Sequence, residues 1–253
     1  MGSLIGKRAL VTAGGQGIGK AIVKGLLEAG CDVAVHYHSN ERGAREIVAL
    51  AESVGRKARC FQADLTADSA AARTVDQAAD FLGGLDVLVN NAGGLVARRV
   101  LGEVDPSFWR QVLDVNMTSM LLVTRAAAPY LARAGGASIV NIASLAGRKG
   151  GHPGSLAYST AKGAALTFTR ALSNELAPQG IRVNAVAPGL ILGTSFHDTH
   201  TTRESAEETI RGIPLARAGG VDDVARPVVF LASEYDGFIT GITLDINGGV
   251  YCA

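Results

Sequence analysis

The stretch that decides the fold runs from Lys7 to Gly19 and reads KRALVTAGGQGIG. It opens with a short apolar run typical of a buried strand, passes through a glycine-rich turn and enters a segment of helical period from Gly17 to Ala29. Glycines in such a turn let a pyrophosphate approach the free N–H groups at the helix N-terminus, where the helix dipole favours an anion. The placement favours a dinucleotide site, although an ordinary strand–helix turn uses glycine too.

The composition excludes several classes of protein. The 253 residues carry a formal net charge of +1, which argues against binding to nucleic acid or to an anionic membrane surface. No apolar run reaches the ~18 residues of a membrane span. The three cysteines have no CxxC spacing, which argues against disulfides and structural zinc. We therefore expect a cytoplasmic protein that acts on a small molecule. Its 32 glycines, about 13% of the chain against a usual ~7%, indicate many tight backbone positions.

Apolar runs of strand length alternate with helical segments along the rest of the chain. The runs at 86–90 and 138–142 are almost continuously apolar, as strands buried on both faces are. Such alternation implies a parallel sheet with helices on both faces, joined by right-handed crossovers. We predict one α/β domain over residues 1–253, with a doubly wound sheet of about seven strands. The predicted strands are Lys7–Thr12, Asp32–Tyr37, Ala58–Gln62, Asp86–Asn90, Ala137–Ala143, Arg182–Ala187 and Ile242–Ile246.

Prolines and acidic residues give more local predictions for the helices. Asp105 and Pro106 are typical of a helix start, and Pro129 should kink the long helix that follows, because it removes a backbone hydrogen bond. Asp222 is predicted to cap the last helix. Pro227 lies in its second turn and predicts that this helix starts late or bends.

Further motifs follow in order and, together with the first turn, resemble the short-chain dehydrogenase/reductase family over nearly the whole chain. The matching residues are Thr12, Gly17, Gly19, Asp64-Leu65, Asn90-Asn91-Ala92-Gly93, Asn116, Ser144, Tyr158 with Lys162, Pro188-Gly189, Ile239-Thr240-Gly241 and Asn247-Gly248-Gly249. The resemblance implies a single-domain Rossmann fold and hydride transfer between a nicotinamide cofactor and a carbonyl or secondary alcohol. Ala13 departs from the family's usual glycine. Since alanine disfavours φ > 0, we expect a slightly altered loop that still binds nucleotide.

Tyr158 and Lys162 lie four residues apart in a predicted helix, Ala157–Leu176, and therefore share one face. A phenol ordinarily has a pKa near ~10, and a neighbouring ammonium lowers that pKa toward the range useful for acid–base catalysis. The resemblance assigns Tyr158 as the general acid/base and Ser144 as the group that polarises the carbonyl. Lys162 would also bind the nicotinamide ribose, and Asn116 would position a water linking Lys162 to solvent. An exposed helix face is the plain alternative for the Tyr–Lys pair, and Ser144 at the preceding strand end argues against it.

The resemblance also distributes cofactor contacts over the ends of several strands. The glycine turn would hold the pyrophosphate, the segments after the third and fourth strands the adenosine, and the segment after the sixth strand the nicotinamide. The implied residues are Gly14, Gln16, Gly17, Ile18 and Gly19; Asp64 and Leu65; Asn91, Ala92 and Gly93; Pro188, Gly189 and Ile191; and Thr194 for a phosphate or the carboxamide.

The choice between the two nicotinamide cofactors is read from the end of the second strand. An acidic residue there would bind the adenosine ribose and repel a 2′-phosphate. Tyr37 takes that place instead, and His38, Ser39 and Asn40 follow as donors. NADP(H) is therefore favoured. NAD(H) is the alternative, because Gln16 stands where many NADP-preferring family members carry a basic residue. The polar residues His38, Ser39 and Asn40 could also be no more than a solvated strand end.

The segment 190–214 is expected to form a lid over the active site, the usual place for specificity in this family. Within it lie Phe196, Asp198 and the pair His197 and His200, which has no strong third ligand; we therefore expect no metal site.

Three functions compete. A 3-oxoacyl or generic carbonyl reductase is favoured slightly. A sugar or keto-uronate reductase is the alternative, in which His152, Arg98, Arg99 and Arg148 either meet an anionic substrate or are simply solvated. A non-catalytic dinucleotide sensor is the third, since fold does not fix function, but such proteins commonly lack the tyrosine or lysine that this chain retains. A sugar-nucleotide epimerase would usually be a longer chain.

Two long helices carry apolar residues on their outer faces. These are Leu121, Leu122 and Ala126 on one helix, and Ala165, Leu166, Phe168 and Leu172 on the other. In the family the corresponding helices pair across a two-fold axis. The resemblance therefore predicts a homotetramer.

Overall fold

Parallel strands form one sheet in the order β3-β2-β1-β4-β5-β6-β7 in a computed structural model that describes residues 4–194, 202–233 and 237–252. In the middle of the sheet, Val11 of β1 pairs with Val35 of β2 on one side and with Val89 of β4 on the other. The predicted doubly wound sheet of seven strands is confirmed. Its switch point lies beside β1, where ligands bind in such folds. The strands are β1 Arg8–Val11, β2 Asp32–Tyr37, β3 Ala58–Gln62, β4 Val87–Asn90, β5 Ala137–Ile142, β6 Ile181–Pro188 and β7 Thr243–Ile246.

Helices cover both faces of the sheet, as predicted. Side chains of β1 alternate between the two layers: Val11 packs in one core cluster and Leu10 in the other. The first cluster joins the sheet to α1, α2 and α9, and the second joins it to α3, α5 and α7. The helices are α1 Gly17–Glu28, α2 Glu41–Ser53, α3 Asp68–Leu82, α4 Pro106–Leu113, α5 Ser119–Ala132, α6 Leu145–Lys149, α7 Leu156–Leu176, α8 Arg203–Arg211 and α9 Val221–Ala232.

The long helix predicted from Asp105 is interrupted. Asp105 caps α4 by accepting the N–H groups of Ser107 and Phe108 at 2.8 and 2.9 Å, with Pro106 at the first helical position. After α4 the chain makes a π-helical turn, Asp114–Thr118, before α5 begins. Apolar periodicity gives no signal for the extra residue of a π turn. Such turns occur frequently at functional sites.

Two helices contain proline in their interior. α5 runs through Pro129 and α9 through Pro227. The late start predicted for α9 is wrong, because the helix already begins at Val221. Val224 and Val228 of α9 are fully buried in the core. We attribute the continuity of α9 to this packing, which offsets the backbone hydrogen bond that the proline removes.

The cap predicted for this last helix is also wrong. Asp222 lies inside α9, and Gly220 occupies the N-cap position. The Gly220 N–H donates to the Asp223 carboxylate at 2.9 Å, and Arg217 forms an ion pair with the same carboxylate at 2.7 Å. The neighbouring acid therefore satisfies the helix start, a choice between adjacent aspartates that the sequence alone does not resolve.

The apolar outer faces predicted for α5 and α7 are smaller than the sequence indicated. Leu122, Ala165 and Leu166 are buried within this single chain, whereas Leu121 is 46% exposed. Leu122 packs in the core cluster between the sheet and α3, α5 and α7, and Ala165 and Leu166 pack against β6 and the segment after β5. Periodicity identified apolar positions correctly but assigned several of them to the surface.

The turn between β1 and α1 contains a strained residue. Ala13 has φ = 50°, in the left-handed region that favours glycine. Its neighbours leave little room: a Cβ on Gly19 would lie 2.3 Å from the Ala13 carbonyl oxygen, and a Cβ on Gly14 would lie 2.9 Å from Val35. Ala13 thus adopts the glycine-like conformation that an alanine disfavours.

Because that conformation costs an alanine energy, Ala13→Gly should raise the free energy of unfolding by about 1 kcal/mol. Urea denaturation checks this. Ala21→Gly inside α1 is the matched control and should lower the same quantity by about 1 kcal/mol. Equal destabilisation by both substitutions would contradict strain at Ala13.

Candidate active site

A cleft of about 710 Å³ opens at the carboxyl ends of the central strands. It extends from the β1–α1 turn, past the segments after β4 and β5, to the segment after β6 and the described part of the predicted lid. Thirteen of the predicted site residues line it: Gln16, Gly17, Ile18, Gly19, Asn91, Gly93, Ser144, Tyr158, Lys162, Pro188, Gly189, Ile191 and Thr194. The topology therefore brings together motifs that are distant in sequence.

Thr12 joins the glycine turn to the segment after β4. Its hydroxyl oxygen accepts the N–H groups of Asn91 and Ala92, both at 2.9 Å. In return, the Asn91 side-chain amide donates to the carbonyl oxygens of Thr12 and Ala13 at 3.1 Å. These four hydrogen bonds hold the two segments at a fixed spacing on one side of the cleft.

The N-terminus of α1 is open to the cleft. Gln16 is the N-cap residue but makes no side-chain capping bond, and the first turn contains no acidic residue. The first N–H groups of α1 are thus available to an anion. Thr194 packs against this end, because a Cβ on Gly17 would lie 3.6 Å from the Thr194 Cβ. The position of Thr194 fits the phosphate alternative, and the arrangement fits the diphosphate of a dinucleotide.

His36 supports the same turn from behind, a role that the sequence did not indicate. The imidazole is 2% exposed. Its Nδ1 accepts the Ala13 N–H at 3.1 Å, and its Nε2 lies 3.1 Å from the Ala63 carbonyl oxygen. A neutral imidazole protonated at Nε2 satisfies both contacts. Burial lowers the pKa of His36 and favours this neutral form. A polar residue in an otherwise apolar strand is the signal that would have found it.

The π turn places Asn116 behind the segment after β4. The Asn116 side-chain oxygen accepts the Gly94 N–H at 3.0 Å, and its amide donates to the carbonyl oxygens of Gly94 and Val112 at 2.8 and 2.9 Å. A Cβ on Gly93 would lie 2.7 Å from Asn116 and 3.0 Å from the Lys162 Nζ. Only glycine fits there, so the backbone approaches both side chains closely.

Ser144, Tyr158 and Lys162 meet at the centre of the cleft. Ser144 ends the segment after β5, caps α6 by accepting the Ala146 N–H at 3.1 Å, and hydrogen-bonds to Tyr158. Lys162 lies one turn further along α7, with its Nζ 5.8 Å from the centre of the Tyr158 ring. The Nζ donates to the Ile142 carbonyl oxygen at 2.8 Å. The structure thus brings together the predicted catalytic residues.

Burial sets the protonation of this group. It lowers the pKa of Lys162 to about 8. Burial also raises the pKa of Tyr158, and the hydrogen bond with Ser144 opposes this with a smaller effect. The lowered Tyr158 pKa expected from the sequence is therefore not found in the free protein. The phenol is protonated at neutral pH, the form that can donate a proton.

The other predicted cofactor residues lie beside or behind the cleft lining. Gly14 packs beneath the turn against Val35, and Leu65 is buried in the core. Ala92 contacts Thr12, and Asp64 follows β3, where its carboxylate accepts the N–H and hydroxyl of Thr66 at 2.9 and 2.7 Å. Tyr37 ends β2 and is half-buried, and His38 and Ser39 are exposed beyond it.

The described part of the segment 190–214 borders the cleft. Ile191 pairs with Gly219 in an isolated bridge, and Ser205, Glu208 and Thr209 of α8 line the opening. The residues 195–201, which include Phe196, His197, Asp198 and His200, lie outside the described residues. Within the described ranges, no three His, Cys, Asp or Glu side chains converge on a metal-binding arrangement. No helix there is long and apolar enough to cross a membrane.

Comparison with known proteins identifies the family. A family model described as enoyl-(acyl carrier protein) reductase matches residues 12–251. An uncharacterised oxidoreductase of Methylorubrum extorquens is 39% identical over 99% of this chain and all of its own length. A 3-oxoacyl-[acyl-carrier-protein] reductase of Staphylococcus aureus is 35% identical, with 97% of this chain and 98% of the relative covered. The chain belongs to the short-chain dehydrogenase/reductase family, as its motifs predicted, and is an oxidoreductase of that class.

Solved structures agree with this assignment. A short-chain dehydrogenase of Burkholderia cenocepacia in complex with NADP superposes with a TM-score of 0.91 at 35% identity, over 98% of both chains. An NADH-dependent reductase responsible for alginate metabolism superposes with a TM-score of 0.90 at 32% identity, over 99% of both chains. The cofactor is thus a nicotinamide dinucleotide.

His36→Leu should destabilise the protein, because it leaves the Ala13 N–H and the Ala63 carbonyl without their partner. We expect a loss of about 2–6 kcal/mol in the free energy of unfolding, from about 1–3 kcal/mol for each of the two unsatisfied groups. Urea denaturation at pH 7.5 measures it.

The same histidine gives a pH dependence with a defined sign. Since its folded pKa lies below the ordinary 6.5, the unfolded chain binds the proton first, and stability falls as the pH drops below about 6.5. Between pH 7.5 and 5.5 this loss should be smaller in His36→Leu than in the wild type. His152→Gln, at an exposed histidine, should keep the wild-type dependence. An unchanged slope in His36→Leu would contradict the assignment.

Proposed function

We propose that this protein is an NADP(H)-dependent carbonyl reductase that interconverts a carbonyl and the corresponding secondary alcohol, with Tyr158 as the general acid/base. The observation that carries the proposal is the convergence of Ser144, Tyr158 and the buried Lys162 in the cleft that begins at the open N-terminus of α1. A non-catalytic sensor would need none of these three groups in contact.

When bound in the cleft, a nicotinamide cofactor would supply the hydride for the carbonyl carbon. The residues of the chain handle the oxygen. Ser144 donates a hydrogen bond to the carbonyl oxygen and polarises it, and Tyr158 gives its phenolic proton to the same oxygen as negative charge develops there. The ammonium of Lys162 stabilises the phenolate that remains. In alcohol oxidation the phenolate takes the proton back.

Positioning residues support these steps. Asn116 holds the Gly93–Gly94 backbone against Lys162, and we propose that it also orders a water through which Lys162 exchanges protons with solvent. We propose the same cofactor contacts as from the sequence, and the same role for the segment 190–214 as a cover over the active site. Gly14 and Leu65 are the exceptions, since their burial supports a packing role beneath the site.

NADP(H) is the preferred cofactor in this proposal. The position at the end of β2 carries Tyr37 rather than an acid, and the exposed donors of His38 and Ser39 follow. Asn40 contributes less than the sequence suggested, because its side chain caps α2 through the Gly43 N–H at 3.0 Å and donates to Gln16 at 3.0 Å. The NADP complex of the Burkholderia relative supports this choice, and the NADH-dependent reductase supports the alternative.

The wider proposal covers substrate, location and assembly. The substrate is a small carbonyl compound, of the 3-oxoacyl kind that the Staphylococcus relative reduces or of the sugar-acid kind suggested by the alginate-metabolism reductase. We place the enzyme in the cytoplasm because its three cysteines are unpaired. We retain a homotetramer, supported by the exposed apolar side chains of Leu121 on α5 and Phe238 near β7.

Tyr158→Phe removes the proton donor and leaves the rest of the cleft intact. Turnover of an accepted ketone, followed by NADPH absorbance, should fall by a factor of about 10²–10⁴. The NADPH dissociation constant, measured by fluorescence titration, should change by less than about threefold. Thr160→Val, two residues further along on the exposed side of α7, is the control and should keep full activity. Retained turnover in Tyr158→Phe would refute the proposed acid.

The cofactor preference is tested by kcat/KM for NADPH and NADH. We expect NADPH to be preferred, and Tyr37→Asp to reduce that preference by about tenfold or more, because the carboxylate would repel the 2′-phosphate. Ser53→Asp introduces the same charge at the far end of α2 and should leave the ratio unchanged. A preference of the wild-type enzyme for NADH would contradict the proposed preference for NADP(H).

A further inference from the structure

Basic side chains line the cleft beside Tyr158. Arg98 follows the segment after β4, Lys149 ends α6, and His152 lies in the loop before α7. Against these, Glu208 of α8 is the acidic residue among the described residues of the lining. The overall charge of the chain is close to zero, so this local excess of positive charge belongs to the cleft rather than to the protein as a whole.

Two other basic residues nearby, Arg99 and Arg148, form ion pairs outside the cleft. Arg99 pairs with Asp105 at 2.8 Å and its guanidinium lies 4.3 Å from the centre of the Phe108 ring. Arg148 forms a two-pronged ion pair with Asp245, at 3.1 Å for each contact. Neither lines the cleft. Two of the four residues considered from the sequence for an anionic substrate are thus structural, and Lys149 joins the remaining two.

A strained turn directs Arg98 toward the cleft. Val96 has φ = 65°, an uncommon conformation for a β-branched residue, and the Ala97 N–H donates to the Leu95 carbonyl across it at 2.8 Å. This is the hydrogen-bond pattern of a γ-turn with positive φ, which is rare and strained. Such strain persists only where the surroundings impose it, and it concentrates at ligand sites.

Hydrogen bonds join the two chain segments that carry Arg98 and His152. The Arg99 N–H donates to the Gly154 carbonyl at 2.9 Å, and the Arg98 guanidinium donates to the Pro153 carbonyl at 3.2 Å. The loop that carries His152 is thereby tied to the segment that carries Arg98. α6 connects Lys149 to Ser144 of the reacting centre. The helix begins directly after Ser144 and ends at Lys149, with a rise of about 7 Å between the two residues.

We propose that Arg98, Lys149 and His152 form an anion subsite that selects carbonyl substrates carrying a carboxylate or phosphate a few bonds from the carbonyl. The inference rests on the proposed reductase function, because it names the substrate class of the same cleft. Arg98 supplies a planar fork suited to either anion, and Lys149 adds a second positive charge. These are specificity residues, separate from the acid–base group formed by Ser144, Tyr158 and Lys162.

Binding tests the subsite without any need for turnover. The NADPH-loaded Tyr158→Phe protein is titrated with matched pairs of compounds, and NADPH fluorescence reports the dissociation constant. One pair is acetoacetate and methyl acetoacetate; the other is dihydroxyacetone phosphate and dihydroxyacetone. The charged member of at least one pair should bind about tenfold more tightly, as expected for one charge-assisted hydrogen bond. The pair that discriminates identifies the anion.

Substitutions locate the effect. Arg98→Gln and Lys149→Gln should each remove most of the preference for the charged compound and leave the neutral compound unaffected. Arg73→Gln, at an exposed arginine of α3, removes the same charge elsewhere and should change nothing. In the active enzyme, Arg98→Gln should raise KM for the charged substrate and leave kcat unchanged.

Equal affinity for charged and neutral compounds, or an equal effect of Arg73→Gln, would overturn the subsite while leaving the reductase proposal intact. If the neutral N-acetylcysteamine thioester of acetoacetate binds most tightly, the subsite is likewise overturned and the reductase proposal stays intact. Anion-selective binding with no turnover of any carbonyl would uphold the subsite and refute the reductase.

Discussion

The cleft depends on the contact between Thr12 and Asn91, which holds the ends of β1 and β4 together at the switch point of the sheet. Helices leave this point toward opposite faces of the sheet, so the backbone must open here without exposing unsatisfied polar groups. The Thr12 hydroxyl accepts two backbone N–H groups, and the Asn91 amide satisfies two carbonyls. The opening is thereby kept rigid, and a ligand can enter without rearranging the sheet.

The segment that follows this contact leads to Lys162, because its backbone packs closely against the side chains around the lysine. The chain continues from Asn91 to Gly93, which lies against both Asn116 and Lys162. Asn116 lies within the π turn, whose extra residue changes the direction in which its side chain leaves the helix. Lys162 in turn is held by the last carbonyl of β5, at Ile142. Lys162 is thus positioned by β4, β5 and two helices together, and burial lowers the pKa of its ammonium.

The sequence predicted the features that follow from periodicity and from order along the chain. Continuous apolar runs identified the strands, and the spacing of Tyr158 and Lys162 put both on one face of α7. The π turn at Asp114–Thr118 was missed, because apolar residues lie within it and on both sides, so that a phase shift of one residue is not apparent in the hydrophobic pattern. His36 was missed because its partners, Ala13 and Ala63, are distant in sequence. The protonation of Tyr158 depends on the balance of burial and hydrogen bonding, which only the folded arrangement determines.

Left-handed alanine and valine residues mark the places where tertiary structure overrides local preference. Outside glycine, positive φ occurs in the described residues at Ala13, Val96 and Ala216. Ala13 and Val96 lie on or beside the cleft lining, and Ala216 is close in sequence to Ile213, which also lines it. Each costs energy that a glycine would spare. Ala13 is held by its hydrogen bond to His36, whereas the bonds at Val96 and Ala216 close their own turns, from Ala97 to Leu95 and from Ala216 to Ile213. The core formed by both faces of the sheet supplies the stability that tolerates this strain, and the strained positions fix the shape of the cleft.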